Sequence, residues 1–217
     1  MFVYRKMTHN PVVIPSTTRV VEAMEIMEKN DFRRLPIVDA GNLVGIITDR
    51  DLRDVSPSPA TTLSVHELKY LLDKMLVRDI MKKNVITINE AATIEEAALA
   101  LYIHKISGLV VVDGSGCVVG ILTSTDIFKC FVDVMGLSSG KTRLTLVVND
   151  NIGVLQDITE VFKKLSINIT SMVNDYLSDG TVEMVIRADI TDISPISEQL
   201  VAAGYTITHI AKIGSNQ

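Results

Sequence analysis

The hydrophobic pattern of the first part of the chain occurs twice, at an offset of 74 residues. Each copy contains an apolar stripe with the spacing i, i+3, i+4, i+7, which predicts an amphipathic helix. The matching positions are Val20, Ala23, Met24 and Met27 in the first copy, and Ile94, Ala97, Ala98 and Leu101 in the second. After each helix come an apolar run that ends in Asp39 or Asp113, a turn and a second short apolar run. We therefore predict two βαββα units.

The rest of the chain has a different pattern. Residues 143–148 alternate between apolar and polar side chains, and a helical pattern runs from Val154 to Leu165. Strands at 167–176 and 181–188, a helix at 195–203 and a strand at 205–210 complete the order βαββαβ. That order is typical of a ferredoxin-like unit. Because a unit of about 70 residues is marginal alone, we expect its sheet to pair with a second copy.

Two joints separate these parts. The sequence Ser56-Pro57-Ser58-Pro59 cannot be helical throughout, and Ser64 to Glu67 has the form of a capping box that begins a connecting helix up to residue 76. Residues 136–140 form a second, glycine-containing joint. We therefore expect an α+β chain with repeated units at 1–55 and 77–136, a linker at 56–76 and a ferredoxin-like domain at 141–213.

The composition describes a chain that folds around cores, with 47% hydrophobic and 22% charged residues. Its net charge of −5 disfavours sequence-independent binding to nucleic acid or anionic membranes, because both require a positive field. No apolar run approaches the roughly 18 residues of a membrane span. The two cysteines make no disulfide framework. A soluble, cytoplasmic protein is the simplest interpretation.

The usual signatures of catalysis are missing from the sequence. The four histidines lie far apart and no Cys/His cluster has metal-ligand spacing, so we predict no metal site. The sequence also lacks a P-loop, a Gly-x-Gly-x-x-Gly pattern and a Gly-x-Ser-x-Gly elbow. We therefore predict no catalytic residues.

One motif, Gly-φ-φ-Thr-x-x-Asp with φ apolar, occurs at the same place in both copies. It brings Thr48 and Asp51, and in the second copy Thr123 and Asp126, to the start of a helix. Free N–H groups at a helix start can hold an anion, and a carboxylate can accept two ribose hydroxyls. Alternatively, each Asp only caps its helix. Repetition of the whole unit around the motif favours a ligand site.

The repeated units resemble a pair of CBS motifs, a Bateman module, and the tail resembles an ACT domain. CBS–ACT chains of this kind include acetoin-utilisation proteins of the AcuB type. The resemblance implies a pseudo-twofold pair with two clefts, each able to take AMP, ADP or ATP as a regulatory ligand rather than a cofactor. In that family the Asp holds the ribose, the Thr and the residue before the Asp approach the phosphates, and basic residues just before the φ-Pro strand of the motif neutralise them. The adenine lies beside the first strand of the other motif.

Carried onto this chain, the resemblance assigns residues to two clefts. The first cleft would use Arg33, Arg34, Thr48, Arg50 and Asp51, with residues 82–87, including Lys82 and Thr87, around the base. The second would use Thr123, Thr125 and Asp126, with Thr8 and residues 12–14, including Val13, around the base.

The two clefts differ in charge. Ser107 and Gly108 stand where the first cleft has two arginines, so we expect the first cleft to bind more tightly or to prefer more phosphates. His104 and Lys105, which lie about a helical turn earlier, would compensate in part or remain solvated. Arg33 and Arg34 would alternatively form an exposed helix end.

The ACT resemblance depends on a turn before a helix and on the strand that follows it. Its residues are Asp150, Asn151, Gly153 and Asn168, with Ile152 where ACT sequences usually have proline. The resemblance implies an amino-acid site at a dimer interface; alternatively, Gly153 only lets the turn close and the domain serves dimerisation.

We therefore expect a non-catalytic homodimer that binds adenine nucleotides and transmits the state to an unidentified partner, in acetoin or central carbon metabolism. The alternative is an amino-acid sensor that acts through the ACT interface, with the CBS pair as a scaffold. S-adenosylmethionine is a further ligand class for CBS modules, whereas the net charge disfavours nucleic acid.

Overall fold

The computed structural model describes residues 1–55, 74–137 and 142–212. The chain divides into two compact units, Met1–Ile127 and Phe128–Gln217. The Ser/Pro stretch and most of the predicted connecting helix at 64–76 lie outside the described residues, as do residues 138–141 at the second joint.

The first repeated unit contains five elements after a short 3-10 helix, Val3–Arg5. They are β1 (Thr8–His9), α1 (Val20–Asn30), β2 (Arg34–Asp39), β3 (Asn42–Thr48) and α2 (Asp49–Val55). Strands β2 and β3 form an antiparallel hairpin in which Arg34 lies opposite Thr48. The predicted strand before α1 is reduced to one parallel bridge between Ile14 and Ile37.

The second repeated unit has the same order. After a 3-10 helix, Val77–Asp79, it contains β4 (Thr87–Asn89), α3 (Ile94–His104), β5 (Gly108–Val112), β6 (Val118–Thr123) and α4 (Ser124–Val134). Strand β4 runs parallel to β5, and β5 and β6 form the hairpin. The boundary between the two compact units falls within α4.

The two repeated units exchange their first segments. Strand β1 pairs with β6 of the other copy, so that Thr8 lies opposite Ile121, and Lys82 bridges to Ile46 of β3 in the same way. Met7 packs on Gly120, and Met81 packs on Gly45. A Cβ on either glycine would overlap the methionine sulfur, so these positions require glycine for close approach. This exchange creates the pseudo-twofold arrangement of the compact unit Met1–Ile127.

The predicted apolar stripes form the cores beneath the hairpins. Val20, Ala23 and Met27 of α1 are buried, and so are their counterparts on α3. Helix α3 begins with a capping box, in which the Thr93 hydroxyl accepts the Glu96 N–H at 3.2 Å and the Glu96 carboxylate accepts the Thr93 N–H at 2.7 Å.

The second unit is an α+β sandwich of one sheet and two helices. Its elements are β7 (Thr142–Asn149), α5 (Val154–Lys164), β8 (Ile169–Tyr176), β9 (Thr181–Ala188), α6 (Ser194–Ala202) and β10 (Ile207–Lys212). The sheet is antiparallel with the order β10-β7-β9-β8, which is the ferredoxin-like topology. Leu144, Ile158, Phe162, Ile186 and Ile196 lie in its core. The predicted fold class, two βαββα units followed by a ferredoxin-like unit, is confirmed.

Candidate functional site

A cleft of about 760 Å³ lies in the first unit and is lined by both repeated units. Residues 31–34, which follow α1, face it together with their counterparts 105–108, which follow α3. The helix starts after β3 and β6 contribute Thr48 to Arg50 and Thr123 to Thr125. Equivalent segments of both copies therefore meet at one site on the pseudo-twofold axis.

Asp51 is held by two groups in the first half of this cleft. Its Oδ2 accepts hydrogen bonds from the Thr48 N–H at 2.9 Å and from the Thr48 hydroxyl at 2.6 Å. Its Oδ1 forms an ion pair with Lys82 Nζ at 2.9 Å, and only 13% of the Asp51 side chain is exposed. Burial raises the pKa of Asp51, but the hydrogen bonds from Thr48 and Lys82 outweigh it and lower the pKa below its ordinary value.

Asp126 repeats the contact with threonine but not the ion pair. Its Oδ2 accepts the Thr123 N–H at 2.8 Å and the Thr123 hydroxyl at 2.7 Å. Thr8 stands where Lys82 stands in the other half, and within the described residues no hydrogen bond or ion pair involves Asp126 Oδ1. Both aspartates thus cap their helices, and Asp126 keeps one carboxylate oxygen available to a ligand.

Positive charge predominates along the described lining of the cleft. The basic side chains are Arg33, Arg34, Arg50, Arg53, Lys82 and Lys105, against the acidic Asp31 and Asp49. Three of the cations have a carboxylate partner: Arg50 lies 3.9 Å from Asp54, Arg53 lies 2.8 Å from Asp49, and Lys82 pairs with Asp51. Such a cleft attracts an anionic ligand although the whole chain is negative.

Arg34 reaches across to the other repeated unit. Its Nη2 donates to the Ser107 hydroxyl at 3.0 Å, and its guanidinium occupies the space that a Cβ on Gly108 would need. Burial lowers the pKa of Arg34, while Asp49 and Asp126 act in the opposite direction. Arg34 is therefore the first residue of a strand that faces the centre of the cleft, rather than part of an exposed helix end.

A smaller hollow of about 230 Å³ lies in the second unit. It is lined by the turn between β7 and α5, including Asp150, Asn151 and Gly153, and by Asn174 and Tyr176 of β8. Gly153 has φ +99° and precedes α5 without a side-chain cap, so the turn requires glycine for its backbone conformation. Asn168 does not line this hollow.

Two features are absent from the described part of the chain. No group of three or more His, Cys, Asp and Glu side chains is arranged to hold a metal ion there. No helix among these residues has both the length and the apolar character needed to cross a membrane.

The family profile for the CBS domain matches the chain twice, at residues 3–58 and 77–133. These two matches together span more than half of the sequence and coincide with the two repeated units. The chain belongs to the CBS domain family. A CBS domain-containing protein of Dictyostelium discoideum is 33% identical to it over 136 residues, which are 62% of this chain and 94% of that protein.

Several solved structures match about three fifths of this CBS protein. A Vibrio cholerae protein described as an acetoin utilization protein (AcuB) has a TM-score of 0.52 and 28% identity, over 64% of this chain and 96% of its own. CBSX2 of Arabidopsis thaliana, solved in complex with AMP, has a TM-score of 0.51 and 28% identity, over 61% and 97%. The CBS pair of protein MJ0100, solved with 5′-methylthioadenosine and S-adenosyl-L-methionine, has a TM-score of 0.51 and 33% identity, over 61% and 97%.

Relatives that carry enzyme names match over a minor part of their own length. The matched part of this chain covers between 21% and 39% of them. The resemblance to tandem CBS proteins, including the AcuB type, is confirmed, whereas the comparisons identify no ACT domain in the ferredoxin-like unit.

Most residues assigned to the CBS clefts lie together in the structure. Those that line the cleft are Thr8, Arg33, Arg34, Thr48, Arg50, Lys82, Thr123 and Thr125. Asp51 and Asp126 lie behind this lining, hydrogen-bonded to the threonines, while Val13 and Thr87 lie outside it. Their roles toward a ligand stay predictions.

The CBS cleft also contains residues that sequence reasoning did not select. Phe32 and Asp31 line it because they follow directly on α1, beside the arginines. Arg53 lines it four residues after Asp49, to which it is paired. Asp49 and Arg53 have the i, i+4 spacing of a helical ion pair, and this spacing beside the Thr-x-x-Asp motif could have indicated Arg53 from the sequence.

Proposed function

We propose that this CBS pair is a regulatory module that binds an adenine nucleotide, AMP, ADP or ATP, and that the chain itself is non-catalytic. The observation that carries the proposal is the cleft shared by both motifs, where six basic side chains lie beside the two Thr-Asp turns. A nucleotide offers a ribose to the aspartates and phosphates to the guanidinium groups, which are suited to phosphate oxygens. AMP in CBSX2 and the adenosyl ligands in MJ0100 support an adenosine ligand.

Regulation by such a ligand requires two arrangements of the CBS pair that bind it differently. A nucleotide that prefers one arrangement shifts the population toward it, and a partner protein responds to that shift. The likeness to the Vibrio AcuB protein supports a place in acetoin or central carbon metabolism. Two cysteines without a disulfide suit a reducing cytoplasm.

Calorimetric titration with AMP, ADP, ATP and S-adenosylmethionine tests the ligand. We expect at least one adenine nucleotide to bind below millimolar concentration, and Asp126→Ala and Asp51→Ala each to weaken it. Circular dichroism of both variants checks that they fold. The proposal is wrong if no nucleotide binds at millimolar concentration, or if neither substitution changes binding.

The second unit supports a homodimer in this proposal. Its sheet ends at β8, an edge strand whose last residues are exposed, including Tyr176 at 68%. Ile152 and Leu155 also expose apolar surface beside the hollow. A paired edge would satisfy the free N–H and C=O groups of β8. Sedimentation equilibrium of the full chain tests this, and a monomer at micromolar concentration contradicts it.

A second candidate function is amino-acid sensing by the ferredoxin-like unit as an ACT domain. The observation in its favour is the 230 Å³ hollow at the uncapped start of α5, where N–H groups are available to a carboxylate. Thermal-shift screening of the twenty amino acids distinguishes this function from nucleotide binding.

A further inference from the structure

Arg34 and Gly108 are equivalent residues of the two CBS motifs, separated by the 74-residue repeat, and each begins a strand of its motif. They meet near the pseudo-twofold axis. Because the Arg34 guanidinium lies in the space that a Gly108 side chain would need, a side chain at position 108 would have to displace it. The guanidinium of Arg34 therefore lies against the other motif rather than its own.

The ion pairs make the two halves unequal in a second way. In the half that contains Asp51, the cations Arg50, Arg53 and Lys82 each have a carboxylate partner within 4.0 Å. Arg34 instead hydrogen-bonds to the neutral Ser107 of the other motif, and neither it, Arg33 nor Lys105 forms an ion pair within the described residues. Arg33 is exposed, whereas Arg34 is partly buried. A phosphate that binds a paired cation must compete with its carboxylate, whereas Arg34 presents an unpaired guanidinium.

The carboxylates of Asp51 and Asp126 also differ in whether a cation occupies them. Lys82 occupies Oδ1 of Asp51, so a ribose in that half must displace the ammonium group. Oδ1 of Asp126 has no such partner among the described residues. The half that contains Asp126 thus combines an available ribose acceptor with the unpaired cation that Arg34 supplies.

We propose, on the basis of the nucleotide-binding function above, that the Asp126 half binds the phosphorylated nucleotide and that Arg34 of the first motif contacts its phosphates from across the axis. This assignment reverses the expectation drawn from the sequence, in which the arginines strengthen the Asp51 half. It makes Arg34 the residue that distinguishes ATP or ADP from adenosine.

The test measures the dissociation constants of ATP and adenosine for the full chain and for two matched variants. Arg34→Gln removes a guanidinium that has no ion pair among the described residues, and Arg78→Gln removes a guanidinium outside the cleft lining, 4.0 Å from Asp79. We expect Arg34→Gln to weaken ATP by about tenfold to a hundredfold, the range for a charge-assisted hydrogen bond, with adenosine changed by less than about threefold. We expect Arg78→Gln to change ATP by less than about threefold.

A swap variant tests the position of the cation. Arg34→Gly combined with Gly108→Arg transfers the guanidinium to the other motif. In the natural chain ATP binding should depend on Asp126 more than on Asp51, as measured with their alanine variants, and in the swap variant this order should reverse. Thermal melting identifies variants that do not fold, in which case the single Arg34→Gln measurement decides.

The outcomes separate this inference from the proposed function. If neither adenosine nor any adenine nucleotide binds the natural chain, the proposed function fails. If ATP binds but Arg34→Gln leaves its affinity unchanged, or Arg78→Gln weakens it equally, or Asp51→Ala alone abolishes it, the inference about Arg34 is wrong while nucleotide binding stands.

Discussion

Arg187 in the ferredoxin-like unit is a buried cation that has no carboxylate partner among the described residues. It lies on β9 with 3% of its surface exposed, and its Nε and Nη1 atoms have no hydrogen-bond partner among those residues. Arg143 lies directly opposite it on β7. Burial lowers the pKa of Arg187, and the charge of Arg143 lowers it further. We predict that Arg187→Met raises the free energy of unfolding.

The magnitude follows from the groups that the substitution removes. A buried polar group without a partner costs about 1–3 kcal/mol, and replacement of buried ionic groups by apolar residues of similar volume stabilises proteins by about 1–4 kcal/mol. Methionine fills much of the arginine stem and adapts to irregular space. We therefore expect a gain of about 1–3 kcal/mol. For a unit of this size, each kcal/mol corresponds to roughly 4–8 °C in Tm.

Differential scanning calorimetry and urea unfolding of the full chain measure the effect. Arg143→Met is the matched control, because Arg143 is less buried and donates to the Thr145 hydroxyl at 2.6 Å. We expect this control to change stability by less than about 1 kcal/mol and to reduce the gain from Arg187→Met in the double variant. A loss of more than about 1 kcal/mol in Arg187→Met would refute the reasoning, since it would mean that the guanidinium is compensated.

Three further predictions concern the CBS pair. Thr93→Ala breaks the capping box with Glu96 and should cost about 1 kcal/mol in urea unfolding; an unchanged midpoint contradicts the role of the cap. Gly120→Ala places a Cβ against the Met7 sulfur and 3.1 Å from a backbone carbonyl, and should cost about 1–3 kcal/mol by thermal unfolding, whereas a neutral result means that Met7 moves freely. Because the pKa of Asp51 is lowered in the folded chain, its stabilising effect is present at neutral pH and lost as the pH falls below 3.8. The stability difference between the natural chain and Asp51→Asn, measured by urea unfolding from pH 7 to pH 3, should therefore shrink with acid, and a constant difference contradicts this.

The sequence by itself determined the repeated architecture. The i, i+3, i+4, i+7 stripes placed Val20, Ala23 and Met27 in a buried helix face, because local periodicity decides which side of a helix is apolar. The alternation along residues 181–188 predicted the bounds of β9, since alternation with period two is typical of a strand. The burial itself does not alternate, because Arg187, expected on the polar side, is buried as well. The predicted strand before α1 is the exception, because it is held by a single bridge at Ile14.

Most residues of the candidate site could be predicted from the sequence, but the contacts between them could not. The Thr-x-x-Asp motif identified Thr48 and Thr123 because hydrogen bonds between residues three apart are local. The partner of Asp51 is Lys82, which is distant in the chain, and no local pattern indicates that ion pair.

Only the tertiary structure shows that Arg34 contacts Ser107 and Gly108 of the other motif. Sequence analysis assigned Arg34 to the cleft of its own motif, because a sequence shows which residues are adjacent in the chain but not which are adjacent in space. The exchange of first segments between the motifs brings equivalent positions together at the axis, where the absence of a Cβ at Gly108 admits the guanidinium. Periodicity fixes the elements of this protein, whereas contacts across the pseudo-twofold axis, which are separated by 74 residues, fix the charge of its site.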